Sequence, residues 1–213
     1  MNEYLQDWHQ EVLSMGTNSG AACDFYDTHS GEYHERTFHI DPGDFLTPLM
    51  TRLSPGALVL DVGCSSGRDL CWFKKRGFKV MGFEGSPRLA ELARKNAECT
   101  VIEDDFTSFD FSGLRADAIL LIAALVHLPQ GGLSCVLENI SRALKRGGHI
   151  LLTMKEGVGE VTDEEKRTFY LWHDEELSPI FERLGFSIRD FSRRESKLGT
   201  GEVWLEYVLQ SHM

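Results

Sequence analysis

From residue 57 onward the chain alternates short apolar runs with amphipathic stretches. The runs are ALVLDVG (57–63), FKVMGFE (78–84), CTVIEDD (99–105), AILLIAAL (118–125), HILLTMK (149–155), FSIRDFS (186–192) and EVWLEYVL (202–209). Segments this short and this continuously apolar are strands covered on both faces. Their alternation with helical stretches predicts a mostly parallel α/β sheet of seven strands with helices on both sides. The last two runs enclose RRESKLGTG (193–201), a hairpin-like connection, so the sheet is expected to end in an antiparallel strand. Ser86-Pro87 reads as a helix cap followed by proline at the first helical position, and Gly77, Gly147 and Gly185 follow helical segments.

Upstream of residue 57, Tyr4, Leu5, Trp8, Val12 and Met15 fall at helical spacing within residues 3–15. Phe45, Leu46, Leu49, Met50 and Leu53 do the same within 44–53. Between them lies a polar and aromatic stretch, GTNSGAACDFYDTHSGEYHERTFHI (16–40), with no clear period. No repeat or linker divides the chain, so a single domain over 1–213 is expected, with N-terminal helices and a lid (1–55), a ligand-binding core (56–157) and a C-terminal substrate-side segment with the final hairpin (158–213).

In an open parallel sheet, ligands gather at the carboxyl ends of the strands where strand order reverses, and the first strand-to-helix turn is the usual seat. Here that turn is LDVGCSSGRDL (60–70). Gly63 can take positive φ and leaves the backbone bare, and the amides near Gly67 open a helix with partial positive charge. The second strand ends in Glu84, about twenty residues further on, where a carboxylate can accept both hydroxyls of a ribose. The third ends in Asp104 and Asp105, where an acceptor can meet an adenine amino group. The turn lacks the third glycine of a G-x-G-x-x-G dinucleotide fingerprint, so a nicotinamide oxidoreductase is a poorer reading.

With three acids closing three successive strands, the chain from about residue 24 to its end resembles the class I S-adenosylmethionine-dependent methyltransferases. Asp61-Val-Gly63-Cys64-Ser65-Ser66-Gly67 is similar to their D-x-G-C-G-S/T-G turn, with Ser65 in place of the middle glycine. Glu84 matches the ribose-binding acid, Asp105-Phe106 the adenine-binding pair, residues 117–127 the fourth strand, and residues 142–148 the turn before the fifth. A narrower likeness is to small bacterial methyltransferases that carry G-R-D, L-x-H and K-E-G, here Gly67-Arg68-Asp69, Leu125-Val126-His127 and Lys155-Glu156-Gly157. The resemblance implies a Rossmann-like fold, S-adenosyl-L-methionine as cofactor and S-adenosyl-L-homocysteine as product. It implies cofactor contacts from Asp61, Gly63, Cys64, Ser65, Gly67, Arg68, Asp69, Glu84, Gly85, Ser86, Asp105, Phe106 and Ala123. The relatives' Y-D…Y pattern is matched by Tyr26-Asp27 and Tyr33, which implies that 24–40 folds over the cofactor as a lid.

Methyl transfer to a small-molecule N, O or S nucleophile is therefore expected, with a non-catalytic adenosyl-binding regulator as an alternative. His127 should emerge near the carboxyl edge, where it is either a general base or a capping and packing histidine. Tyr26 and Tyr33 are candidates to bring a hydroxyl to the transfer site. Tyr170, Trp172 and Trp204 are further candidates for an acceptor pocket, and Arg193 and Arg194 form either an acid-binding or a solvated pair. His29, His34 and His39 recur every five residues, a spacing that does not put them on one helical face, so no metal is expected. A formal charge of -11 opposes nucleic acid as partner. No long apolar run suggests a membrane span, and no basic, apolar leader opens the sequence. Five cysteines without a C-x-x-C pair suit a reducing, cytoplasmic setting. The expected state is a monomer or homodimer.

Overall fold

A computed structural model describes residues 19–212. The helix expected over residues 3–15 lies outside them. The elements in chain order are helices α1 (Ser19–Thr28), α2 (Ser30–Thr37) and α3 (Gly43–Met50), then strand β1 (Leu58–Val62), α4 (Arg68–Lys74), β2 (Lys79–Glu84), α5 (Pro87–Ala97), β3 (Val101–Glu103), β4 (Ala116–Ile122), α6 (Leu133–Ser141), β5 (Leu144–Lys155), a short pair β6 (Glu160–Thr162) and β7 (Thr168–Tyr170), α7 (Asp174–Arg183), β8 (Phe186–Glu195) and β9 (Val203–Ser211).

Seven strands form one sheet in the order β3-β2-β1-β4-β5-β9-β8. Strands β1 to β5 pair in parallel, and β9 runs antiparallel to both β5 and β8. The expected sheet and its antiparallel last strand are both present. Side chains alternate between the two faces with period two. Leu60, Val62, Ile119, Leu121, Ile150 and Leu152 pack under α6 and α7 with Val136, Ile140, Leu177 and Phe181. Their neighbours Val59, Ala118, Leu120 and Leu151 pack against Leu46 and Leu49 of α3 and Trp72 and Phe73 of α4. Both faces are dry, which is why the sequence shows continuous apolar runs there.

Local signals place the helices that frame the site. Ser86 caps α5, its hydroxyl accepting from the Leu89 amide at 3.2 Å, with Pro87 following. Gly67 precedes α4 at φ 86°, and a Cβ there would sit 3.0 Å from the Ala93 Cα, so this glycine lets α4 approach α5. The chain leaves β1 for β2 and β3 on one side and crosses to β4 on the other. The β1–β4 junction is therefore the point where strand order reverses.

Within the stretch without a clear sequence period, residues 19–28 and 30–37 are helical. In α2 and just beyond it, Tyr33, Thr37 and Ile40 recur at helical spacing and face a cavity, while Glu32, Glu35 and Arg36 are exposed. Asp27 fastens this layer to the sheet domain by accepting from the Ser86 hydroxyl at 2.8 Å and the Arg88 amide at 3.0 Å. Among the described residues, no helix is long and apolar enough to cross a membrane.

Candidate active site

A cavity of about 480 Å³ opens at the carboxyl edge of β1, β2 and β4. Its floor is the turn after β1. Gly63 sits at φ 77°, and a Cβ there would lie 2.9 Å from the Ala124 Cβ, so the backbone stays bare. Ser65 takes φ 51°, the left-handed region where relatives place glycine. Its amide donates to Glu84 Oε2 at 2.7 Å, a charge-assisted bond that offsets the backbone strain. The other Glu84 oxygen accepts from the Ser86 amide at 3.0 Å. Burial raises the Glu84 pKa, and these amides pull against it.

Beside it, Arg68 grips Asp69 with two parallel bonds of 2.7 and 3.0 Å. Asp61 lies behind the turn, 2% exposed, with Oδ2 lacking any partner. Burial, then the nearby Asp69 charge, holds its pKa well above the usual carboxylate range, while Arg68 opposes this. Asp105 Oδ1 accepts from the Thr107 amide and hydroxyl at 2.8 and 2.7 Å, which fixes the turn after β3.

The roof comes from α1 and α2, with Ala22, Cys23, Tyr26 and Tyr33 on the cavity wall. Burial, with Glu84 the leading charge, pushes the Cys23 thiol up to about 11. His127 meets the roof. Its Nδ1 lies 2.7 Å from the Thr168 carbonyl, which can only accept, so Nδ1 carries a proton. The neutral ring then leaves Nε2 as acceptor for the Tyr26 hydroxyl at 3.1 Å. Burial lowers the His127 pKa to about 4, with Arg167 and Lys155 acting in the same direction and the Thr168 bond and Asp163 against it. Burial raises the Tyr26 phenol above its ordinary value, against the pull of Arg167.

Of the residues singled out in the sequence, Gly63, Cys64, Ser65, Arg68, Asp69, Glu84, Gly85, Asp105, Phe106, Ala123, His127, Tyr26, Tyr33 and Trp204 all line this one cavity. Asp61, Gly67 and Ser86 do not. The first is buried off the wall, the second is consumed by helix packing, and the third spends its hydroxyl on the α5 cap and Asp27. Trp172 is core, 4% exposed, and Tyr170 belongs to β7 away from the wall. Arg193 pairs with Glu156, while Arg194 lines the cavity and pairs with Glu206 at 2.8 Å. His29 stacks on Phe25 and His34 tilts against Phe38. Sequence reading missed the wall from the β8–β9 hairpin (residues 195–198) and Phe45. It also missed Arg167 and Thr168 of the β6–β7 pair, which no local pattern announces.

Residues 59–148 match the family model described as a methyltransferase domain, and those residues carry the floor of the cavity and the acid at the end of β2. Over that stretch the chain is similar to the class I S-adenosylmethionine-dependent methyltransferases. Among curated relatives, Methyltransferase GfsG of Streptomyces halstedii is 30% identical over 109 residues, covering 47% of this chain and 38% of the relative. An uncharacterized methyltransferase of Synechocystis, sll0829, is 27% identical over 115 residues, covering 54% and 52%. The chain thus spans about half or less of the length of these relatives. Among solved structures, 1,6-didemethyltoxoflavin-N1-methyltransferase of Burkholderia thailandensis, bound to 1,6-didemethyltoxoflavin and S-adenosylhomocysteine, superposes with a TM-score of 0.69 at 21% identity, covering 93% of this chain and 91% of that one. Magnesium protoporphyrin IX methyltransferase of Synechocystis, bound to S-adenosylhomocysteine, gives 0.70 at 16% identity, covering 91% and 99%. At such identities the likeness is one of fold.

Proposed function

We propose that this chain transfers the methyl group of S-adenosyl-L-methionine to a small-molecule N, O or S nucleophile and releases S-adenosyl-L-homocysteine. The observation that carries the reading is Glu84. It is a carboxylate 9% exposed, on the cavity wall at the end of β2, with each oxygen held by one backbone amide and lone pairs left over. A buried carboxylate with spare acceptor capacity suits a vicinal diol. The bare backbone at Gly63 and the buried, unpartnered Ser65 hydroxyl on the same wall also suit a polar ligand. The residues present therefore fit an adenosyl amino acid. Glu84 would hold the ribose, Gly63 to Ser65 and Asp69 the amino-acid end, and Asp105 with Phe106 the adenine.

When bound, the cofactor supplies a methyl on a positively charged sulfur, a leaving group already activated for displacement. The chain's part is then alignment, exclusion of water and handling of the acceptor's proton. The roof of α1 and α2, closed by the Asp27 clasp, does the excluding. A cavity of about 480 Å³ is in the range that takes small molecules. The charge of -11 argues against a nucleic-acid acceptor.

A screen for S-adenosylhomocysteine release from S-adenosylmethionine over amines, phenols, alcohols, thiols and acids tests the proposal. Turnover of at least one small acceptor is expected. Tight S-adenosylhomocysteine binding with no turnover on any acceptor class would favour the regulator reading instead.

A further inference from the structure

We propose that Tyr26 is the hydrogen-bond acceptor for the methyl acceptor's X–H group and that His127 is its positioning residue rather than a base, so the cavity selects acceptors that present an N–H or O–H. This rests on the cavity being the methyl-transfer site and goes beyond it to the acceptor's chemistry.

The chain of donors is fixed at one end. The Thr168 carbonyl accepts and cannot donate, so the His127 proton sits on Nδ1 and Nε2 is bare. The Tyr26 hydroxyl, 3.1 Å away, must then spend its only proton on Nε2. What remains on the phenol oxygen is lone pairs. One faces Arg167 Nη1 at the limiting distance of 3.5 Å, and Arg167 is already paired with Asp163 and Glu165. The other is free for the cavity that Tyr26 and His127 both line. An acceptor without a donor hydrogen finds no complement there.

Anionic acceptors fare worse still, because the cations on the wall are spoken for. Arg68 is held by Asp69, Arg194 by Glu206, and Lys197 by Asp44. Protonation of His127 would reverse the donor order, but burial opposes that, as do the cations facing it, Arg167 and Lys155, and the Thr168 bond and Asp163 only partly compensate. No covalent step is assigned to either residue.

The test combines nitrogen NMR of the full chain with turnover. In ¹⁵N-labelled protein at neutral pH, with and without S-adenosylhomocysteine, His127 is expected to show Nδ1–H and a bare Nε2, and Tyr26→Phe should shift the Nε2 resonance while leaving the tautomer. S-adenosylhomocysteine release should be seen with primary or secondary amines, phenols or alcohols. Tyr26→Phe should lower kcat by about tenfold or more with little change in cofactor affinity. His127→Gln, which keeps an acceptor for the tyrosine, should retain more turnover than His127→Leu. A protonated Nε2 at neutral pH, or turnover confined to tertiary amines, thioethers or carboxylates, would overturn the assignment. If no acceptor in the panel reacts, the tautomer and the Tyr26→Phe shift decide it. Failure of wild-type protein to bind S-adenosylhomocysteine would instead strike the methyl-transfer reading, and the tautomer measurement tells the two failures apart.

Discussion

Burial sets the behaviour of His127, and backbone geometry that of Gly63. His127 is 7% exposed and its ring titrates near 4 in the folded chain against 6.5 when unfolded. Between those values the unfolded ring binds a proton that the folded one refuses. Its contribution to stability is therefore full above pH 6.5 and is lost as pH falls toward 4. At about 1.4 kcal/mol per decade the difference amounts to roughly 3 kcal/mol. Asp61 and Glu84, both held above their ordinary pKa, act with the opposite sign, since their ionisation as pH rises disfavours the fold. They are common to wild type and variant and cancel in a comparison. Denaturant unfolding of wild type and His127→Gln should therefore show a stability gap that narrows as pH drops from 7 to 4.5, and a pH-independent gap would contradict the neutral buried ring. Gly63 is the second case. Gly63→Ala combines φ 77° with a Cβ 2.9 Å from the Ala124 Cβ. The strain and the clash should each cost about 1 kcal/mol or more, seen as a lowered urea midpoint at unchanged m.

At the scale of elements, the roof stands apart from the sheet. Helices α1 and α2 reach it through few bonds, chiefly Asp27 to Ser86 and Arg88 and Tyr26 to His127. Elements held so sparingly open more often than the core. Limited proteolysis should nick residues 24–40 in free protein and slow with S-adenosylhomocysteine bound, while Asp27→Ala should speed nicking without altering the unfolding midpoint of the sheet. Equal nicking in all three would remove the roof's role as a lid. The same contrast governs what could be read from sequence. Strands β1, β2, β4 and β5 are covered on both faces, so their apolar runs were legible, and with the first two the acids Asp61 and Glu84. The roof was not, because its helices are amphipathic only toward a cavity lined with polar groups. The Tyr26–His127 bond joins residues 101 apart in sequence. The β6–β7 pair is three residues per strand with β6 exposed, too short and too polar to leave a periodic trace.

For the molecule as a whole, strand order concentrates chemistry at one edge. The reversal between β1 and β4 opens a crevice, the glycine turn floors it, and the antiparallel β9 returns the β8–β9 hairpin to the same edge as a side wall. We propose that this crevice is an adenosyl site read by Glu84. Calorimetric titration of wild-type chain and Glu84→Ala with S-adenosylhomocysteine, and of wild type with NADH, tests it most directly. Saturable S-adenosylhomocysteine binding by wild type is expected, with no comparable heat from NADH. Glu84→Ala should lose affinity by tenfold or more, since each charge-assisted bond to the carboxylate contributes about 1.5–3 kcal/mol. Unchanged affinity in a folded Glu84→Ala, or binding of NADH in place of S-adenosylhomocysteine, would contradict it.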